Sequence, residues 1–235
     1  SGNSVPTKEL LSFQLDNAQA MDAVHCALDV DALVELIAQS NSVIQHTSQA
    51  PIKVHSKATD RFMYLQRPDL GRELDDVCWN QLQAVHHSES PPFDLAIVVA
   101  DGLSSIAIQN HANPVIEHLL SLLEEDEVPW HVAPITVVRQ GRVAIGDDVC
   151  ECLQAKMVVV LIGERPGLTS PDSMGMYLTW QARRGAKDSD RNCISNIRPQ
   201  GLAYEDACKR AVYLLKEARR LELSGVNLKD RSSIE

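Results

Sequence analysis

The spacing of apolar positions changes along the chain. Between Lys8 and Val24 they fall at Leu10, Leu11, Phe13, Leu15, Ala18, Met21 and Ala23, the spread of one helix face. Asp29 or Asp31 then precedes Leu33, Val34, Leu36 and Ile37, which predicts a capped second helix with those four as its buried stripe. Residues 41–58 are polar and interrupted by Pro51, with Ile52 and Val54 alternating as in a short edge strand. Asp69 opens a further helical stretch from Leu70 to His86, and His87 to Pro92 reads as a Ser/Pro linker.

From Phe93 onward the pattern becomes that of an α/β chain. Leu95 to Ala100 is a continuous apolar run, as expected of a strand buried on both faces, and Asp101-Gly102 ends it. Ser104 or Ser105 caps a short helix, and Asn113-Pro114 starts another that carries Val115, Ile116, Leu119, Leu120, Leu122 and Leu123. Pro134 to Val138 is a second strand, and Asp147 or Asp148 caps a helix to Ala155. Met157 to Ile162 is a third strand, stopped by Gly163. Met176–Trp180 and Cys193–Ile197 are further candidate strands, and Leu202–Leu223 is a long amphipathic helix with Gly225 at its end. Strands alternating with helices predict a Rossmann-like, largely parallel sheet covered by helices on both faces. Residues 1–90 form an N-terminal helical extension in this reading and residues 91–235 the α/β domain.

Composition narrows the functional classes. The 235 residues are 44% hydrophobic and 23% charged, enough for a real core without disulfides or a structural metal. The net charge of −10 argues against binding nucleic acid or an anionic membrane, both of which select an excess of Lys and Arg. A spanning helix needs ~20 apolar residues, and the longest aliphatic run, Met157 to Ile162, falls far short. Ser1 to Thr7 is small and polar, unlike a signal peptide. The six cysteines are scattered, which reads as free thiols in a reducing compartment. Only Cys150-x-Cys152 approaches ligand spacing, and residues two apart on a helix face different ways, so the spacing predicts no protein-bound metal.

In open α/β sheets ligands sit outside the carboxyl ends of the strands. That rule selects four segments: Asp101 to Ser105, Arg139 to Val143, Gly163 to Gly167, and Cys193 to Ile197. Common catalytic motifs are missing from them. No G-x-G-x-x-G follows Ala100, no P-loop is present, and Ser104 lacks the frame of a nucleophile elbow, so it reads as a helix cap. Cys193 has no base among Asn192, Ile194 and Ser195, which favours a buried structural thiol over a nucleophile. Glu164-Arg165, ahead of Pro166-Gly167, reads equally as a local ion pair in a rigid turn or as a pair of ligand contacts. The eight histidines are dispersed, and His86-His87 reads as solvated. None lies in the Asp-x-His-x-x-Gly frame that supplies a cobalt ligand in one class of corrinoid proteins.

Several segments in order carry a resemblance. They are Tyr64-Leu65-Gln66-Arg67-Pro68-Asp69-Leu70-Gly71-Arg72, Ala100-Asp101-Gly102-Leu103-Ser104, Gly141-Arg142-Val143, Val160 to Leu168 (with Gly163-Glu164-Arg165-Pro166-Gly167), Asp190 to Ile197, and Ser224-Gly225-Val226-Asn227-Leu228. Together, from about Lys8 to Asp230, the chain resembles the small (light) subunit of ethanolamine ammonia-lyase. Each motif is short, and their order and spacing make the match specific. Two departures stand out. The resemblance implies a longer N-terminal arm ahead of Ser4-Val5-Pro6-Thr7, and Asn17 stands where it implies His.

The resemblance implies a complex with a large, barrel-shaped subunit that holds ethanolamine. Adenosylcobalamin lies between the two subunits with its dimethylbenzimidazole still on cobalt. A 5′-deoxyadenosyl radical from that cofactor abstracts hydrogen from ethanolamine, and acetaldehyde and ammonia leave. The absent cobalt-ligating His motif agrees with that arrangement. Carried over by motif, the cobalamin contacts of the 91–235 domain are Val143, Glu164 and Cys193, with Arg165, Ser195 and Asn196 as secondary candidates from the same loops. The corrin is a broad, partly apolar disc ringed by amides, which suits backbone groups beside Val143 and Cys193 and an acceptor at Glu164. Because the cofactor carries the radical chemistry, no catalytic residue and no metal ligand is expected in this chain. The expected location is the bacterial cytoplasm, free or within a microcompartment. Two other classes compete: a stand-alone α/β small-molecule or nucleotide-binding module without lyase activity, and a degenerate subunit that serves assembly or a shell. The missing phosphate loop counts against the first, and the intact Val143, Glu164 and Cys193 against the second.

Overall fold

The computed structural model describes residues 11, 13–15, 24–47, 49–85, 91–167 and 170–232. Most of the helix expected over Lys8–Val24, the His86-His87 pair and most of the Ser/Pro linker lie outside the described residues. The described elements run α1 (Val30–Ala38), α2 (Asn41–His46), β1 (Ile52–His55), α3 (Arg61–Gln66), α4 (Asp76–Gln83), β2 (Leu95–Ala100), α5 (Ser105–Glu124), β3 (Thr136–Arg139), α6 (Ile145–Cys152), β4 (Met157–Gly163), β5 (Met174–Trp180), β6 (Arg191–Ile197) and α7 (Tyr204–Leu221).

One sheet organises the molecule, in the order β1-β3-β2-β4-β5-β6. The pairs β1/β3, β3/β2 and β2/β4 are parallel, while β4/β5 and β5/β6 are antiparallel. Only β5 therefore runs against the others, and the sheet is mostly but not purely parallel. Helices cover both faces. Alternate residues of β2 and β4 divide between two cores: Leu95, Ile97, Val99, Met157, Val159 and Leu161 pack with α1, α5 and α7. Ala96, Val98, Ala100, Val158, Val160 and Ile162 pack with α4 and α6. Every side chain of β2 and β4 is buried, which is why both read as unbroken apolar runs.

β1 is an edge strand paired to β3, with Ile52 opposite Thr136 and His55 opposite Arg139. Leu28, Val30, Leu33, Ile37 and Val43 belong to the same core as the α5 side of the sheet. Residues on both sides of position 90 thus share one sheet and one core.

Several local expectations are corrected. Asp29 caps α1 by accepting from Ala32 N (3.0 Å), but Leu36 is exposed and the buried stripe is Val30, Leu33 and Ile37. Residues 70–86 do not form one helix: a 3-10 turn at Leu70–Arg72 precedes α4, which Asp75 caps through Val77 N (2.9 Å). α5 is continuous through Pro114, capped by Ser104 (3.3 Å to Ala107 N). The proline removes the donor for the carbonyl of Asn110, an exposed residue where water can replace it. Asp147 and Asp148 do not cap α6. Both lie buried in its first turn, and Asp148 receives Leu74 N (2.8 Å) and two bonds from Arg184 (2.6 and 2.9 Å). α7 ends earlier than expected, with Glu222 rather than glycine in the left-handed conformation, while Gly225 opens a separate 3-10 turn.

Candidate functional site at the carboxyl edge of the sheet

The ends of β2 and β4 touch. Leu103 N donates to Gly163 O (2.9 Å), and Gly102 turns the chain with φ +59°. A Cβ on Gly102 would lie 2.2 Å from Gly163 O, and one on Gly163 would lie 2.0 Å from Ser104 O, so neither position accepts a side chain. This contact sets the floor of the site.

Beside it, Asp101 is buried and accepts from Gln140 N and Gly141 N, both at 3.0 Å, with Arg61 Nη1 at 3.8 Å. Burial pushes its carboxyl up to about 6, against the opposite pull of those N–H groups and of Arg61. Arg61 also donates to Gly102 O (2.8 Å) and to Val24 O (2.7 Å). Tyr64, fully buried, donates to Gly141 O (3.2 Å), and the guanidinium groups of Arg61 and Arg142 lie over its ring, at 4.8 and 4.1 Å from the centroid. Arg142 donates Nη2 to Tyr64 O (3.1 Å), whereas its buried Nε has no hydrogen-bond partner among the described residues.

Two adjoining concavities open above this floor. One, of about 400 Å3, is lined by Tyr64, Arg142, Val143, Glu164, Arg165 and Tyr177 among others. The second, of about 450 Å3, shares Arg142, Val143 and Tyr177 and adds Arg191 and Cys193. The structure therefore brings together four of the six sequence-expected residues: Val143, Glu164, Arg165 and Cys193. Asn196 joins them through its backbone, donating N–H to Glu164 Oε2 (3.3 Å) from a left-handed conformation that asparagine tolerates. Ser195 is exposed and belongs to neither lining.

Glu164 follows β4 directly. Its Oε2 accepts from the Ser173 hydroxyl, and its own N–H donates to Ser173 O (2.9 Å). Among the described residues no donor reaches Oε1, and a Cβ on Gly175 would come within 2.9 Å of it. No Glu164–Arg165 ion pair forms among the described residues; Arg165 is exposed and Glu164 turns toward β5 and β6. Cys193 sits opposite Tyr177 in the β5/β6 register. It is exposed, which corrects the buried-thiol reading. Its thiol is raised above the ordinary value by the packed wall around it, with the Glu164 charge adding to the rise and a hydrogen bond from Tyr177 opposing it. A raised thiol with no base beside it is a poor nucleophile at neutral pH.

The arrangement is a concave wall. It offers apolar area at Val143 and Tyr177 and, among the described residues, a Glu164 carboxylate oxygen that no donor reaches. Sequence reasoning did not single out Tyr177, Ser173 or Arg142 as site residues. Arg142 stands within the Gly141-Arg142-Val143 motif, so a signal existed for it; nothing local marked Tyr177, which is placed by strand register. A larger cavity, about 510 Å3, opens elsewhere, at the β1 edge near Lys53, His55 and Arg139, and contains none of the expected residues.

Comparison with known proteins gives the family. A family model described as ethanolamine ammonia-lyase light chain (EutC) matches residues 1–229. The chain belongs to that family. It is 50% identical over 232 residues to an ethanolamine ammonia-lyase small subunit of Xanthomonas campestris pv. campestris (strain B100), covering 99% of this chain and 82% of that one. It is 47% identical over 237 residues to the small subunit of Pseudomonas aeruginosa (strain LESB58), covering 100% and 83%. The small subunit of Azotobacter vinelandii (strain DJ / ATCC BAA-1303) is 47% identical over 234 residues, again covering 100% and 83%. As a member of the light-chain family the protein is a lyase subunit. Among the described residues no helix is long and apolar enough to cross a membrane.

Proposed function

We propose that the chain acts with a large partner subunit as an ethanolamine ammonia-lyase, and that its carboxyl-edge wall holds adenosylcobalamin at the interface between them. Family membership carries the activity. The observation that supports the cofactor role is the concave wall itself: Val143 and Tyr177 line both concavities, and among the described residues no donor reaches Glu164 Oε1. These groups fit a disc fringed by amides, which carry both N–H donors and carbonyl acceptors.

In this reading Glu164 accepts from a corrin amide, and Ser173 and Asn196 hold its carboxylate so that little side-chain entropy is lost on binding. Val143 and Cys193 supply apolar contact and backbone groups, with Arg165, Ser195 and Asn196 at the margin. The bound cofactor supplies the radical that starts the rearrangement of ethanolamine, and this chain binds and orients it. The substrate pocket belongs to the partner. The assembly acts in the bacterial cytoplasm, free or inside a microcompartment, with no role for nucleic acid or a membrane.

The test is cobalamin affinity of the assembled complex. Glu164→Ala removes a charge-assisted hydrogen bond worth about 1.5–3 kcal/mol, so affinity falls by roughly ten- to hundredfold. Unchanged affinity in a complex that still assembles would remove Glu164 from the site.

A further inference from the structure

Away from that wall, His55, Asp75 and Cys78 each place a ligand atom within 4.8 Å of the other two. They come from three points of the chain fold: the last residue of β1, the cap of α4, and the first turn of α4. Three groups with nitrogen, oxygen and sulfur donors, converging from an edge strand and a helix start, form a mixed set suited to a borderline divalent cation.

The backbone holds this set together without a metal. Asp75 N donates to His55 O (3.1 Å), and His55 N donates to Cys78 Sγ (3.4 Å). Asp75 spends Oδ1 on the helix cap, and among the described residues its other oxygen takes no hydrogen bond. His55 Nδ1 lies 2.9 Å from Ser56 O. A carbonyl only accepts, so neutral His55 carries its proton on Nδ1 there and keeps its lone pair on Nε2, the state a metal requires.

We propose that His55, Asp75 and Cys78 form a zinc site that ties the end of β1 to the start of α4, with water completing the tetrahedron. Burial holds the Cys78 thiol above its ordinary value, so the free site carries S–H. Binding forms one S–Zn bond and releases that proton to solvent. The three ligands are exposed, half-buried and buried in turn, so the ion has a route in from solvent at His55. His55 also lines the 510 Å3 cavity at the β1 edge.

The full chain, stripped with chelator under reducing conditions, is titrated with Co2+ as a spectroscopic probe and then with Zn2+ in competition. The expected result is one equivalent of Co2+ with a sulfur-to-cobalt charge-transfer band, displaced by Zn2+. His55→Gln, a change at an exposed position, weakens Co2+ at least tenfold. Cys78→Ser abolishes the band, and Cys26→Ser, at an exposed thiol elsewhere, leaves it intact. Absence of the band in the wild type overturns the proposal. So does a band of equal affinity in His55→Gln, because the metal would then sit on other thiols; that readout does not depend on the Cys78 variant folding.

Discussion

Arg191→Ala is expected to destabilise the chain by about 3–5 kcal/mol in urea denaturation at neutral pH. Arg191 forms a two-pronged ion pair with Asp147, at 2.6 and 2.7 Å, and its side chain and that of Asp147 are only 3% and 2% exposed. It also donates to Ala186 O (3.1 Å), which ties the segment before β6 to α6. Burial raises the Asp147 carboxyl, and Arg191 is the chief group pulling it back down. Removing the guanidinium strands a buried carboxylate, which must either ionise at high cost or take up a proton. The loss therefore shrinks as the pH is lowered and the stranded Asp147 is protonated. The double variant Arg191→Met with Asp147→Leu recovers most of the loss, since the pair's removal costs much less than breaking it. A single variant as stable as the wild type would show that the pair contributes nothing.

Asp101 gives the second large effect, and it is read from pH dependence. Its carboxyl is pushed from 3.8 up to about 6 in the folded chain. A raised carboxyl binds its proton more tightly when folded, so its contribution to stability is full below about pH 4 and is lost as the pH rises through about 6. One pKa unit is about 1.4 kcal/mol, which makes the loss about 3 kcal/mol. Asp101→Asn cannot ionise. Its stability relative to the wild type should therefore improve by about that amount between pH 4 and pH 7, whatever it loses at both by accepting from Gln140 N and Gly141 N less well. Parallel pH profiles for the two proteins would contradict a perturbed Asp101.

What was legible in the sequence followed from how local each cause is. β2 and β4 were readable because full burial on both faces leaves no polar position in the run. The Ser104 and Asp29 caps were readable because a cap and its recipient lie three residues apart. Asp147 and Asp148 were misread as caps because their real partners, Arg191 and Arg184, lie far along the chain and only the fold brings them near. α2, six residues with one buried side chain, has too little periodicity to detect. The reversal at β5 was invisible for a similar reason: alternation reports that a residue is in a strand, not which way the strand runs. At the site, Val143, Glu164 and Cys193 came from the family resemblance, and they line two adjoining concavities, Val143 in both, Glu164 in one and Cys193 in the other. Tyr177 is on that wall only through its register with Cys193, which no local pattern encodes.

The most direct measurement is acetaldehyde release from ethanolamine by a purified large subunit with adenosylcobalamin, with and without this chain. The account predicts turnover only when both chains are present, together with cobalamin retained by the complex on gel filtration. No turnover and no retained cobalamin with a folded chain and a large subunit matched to it would contradict the account.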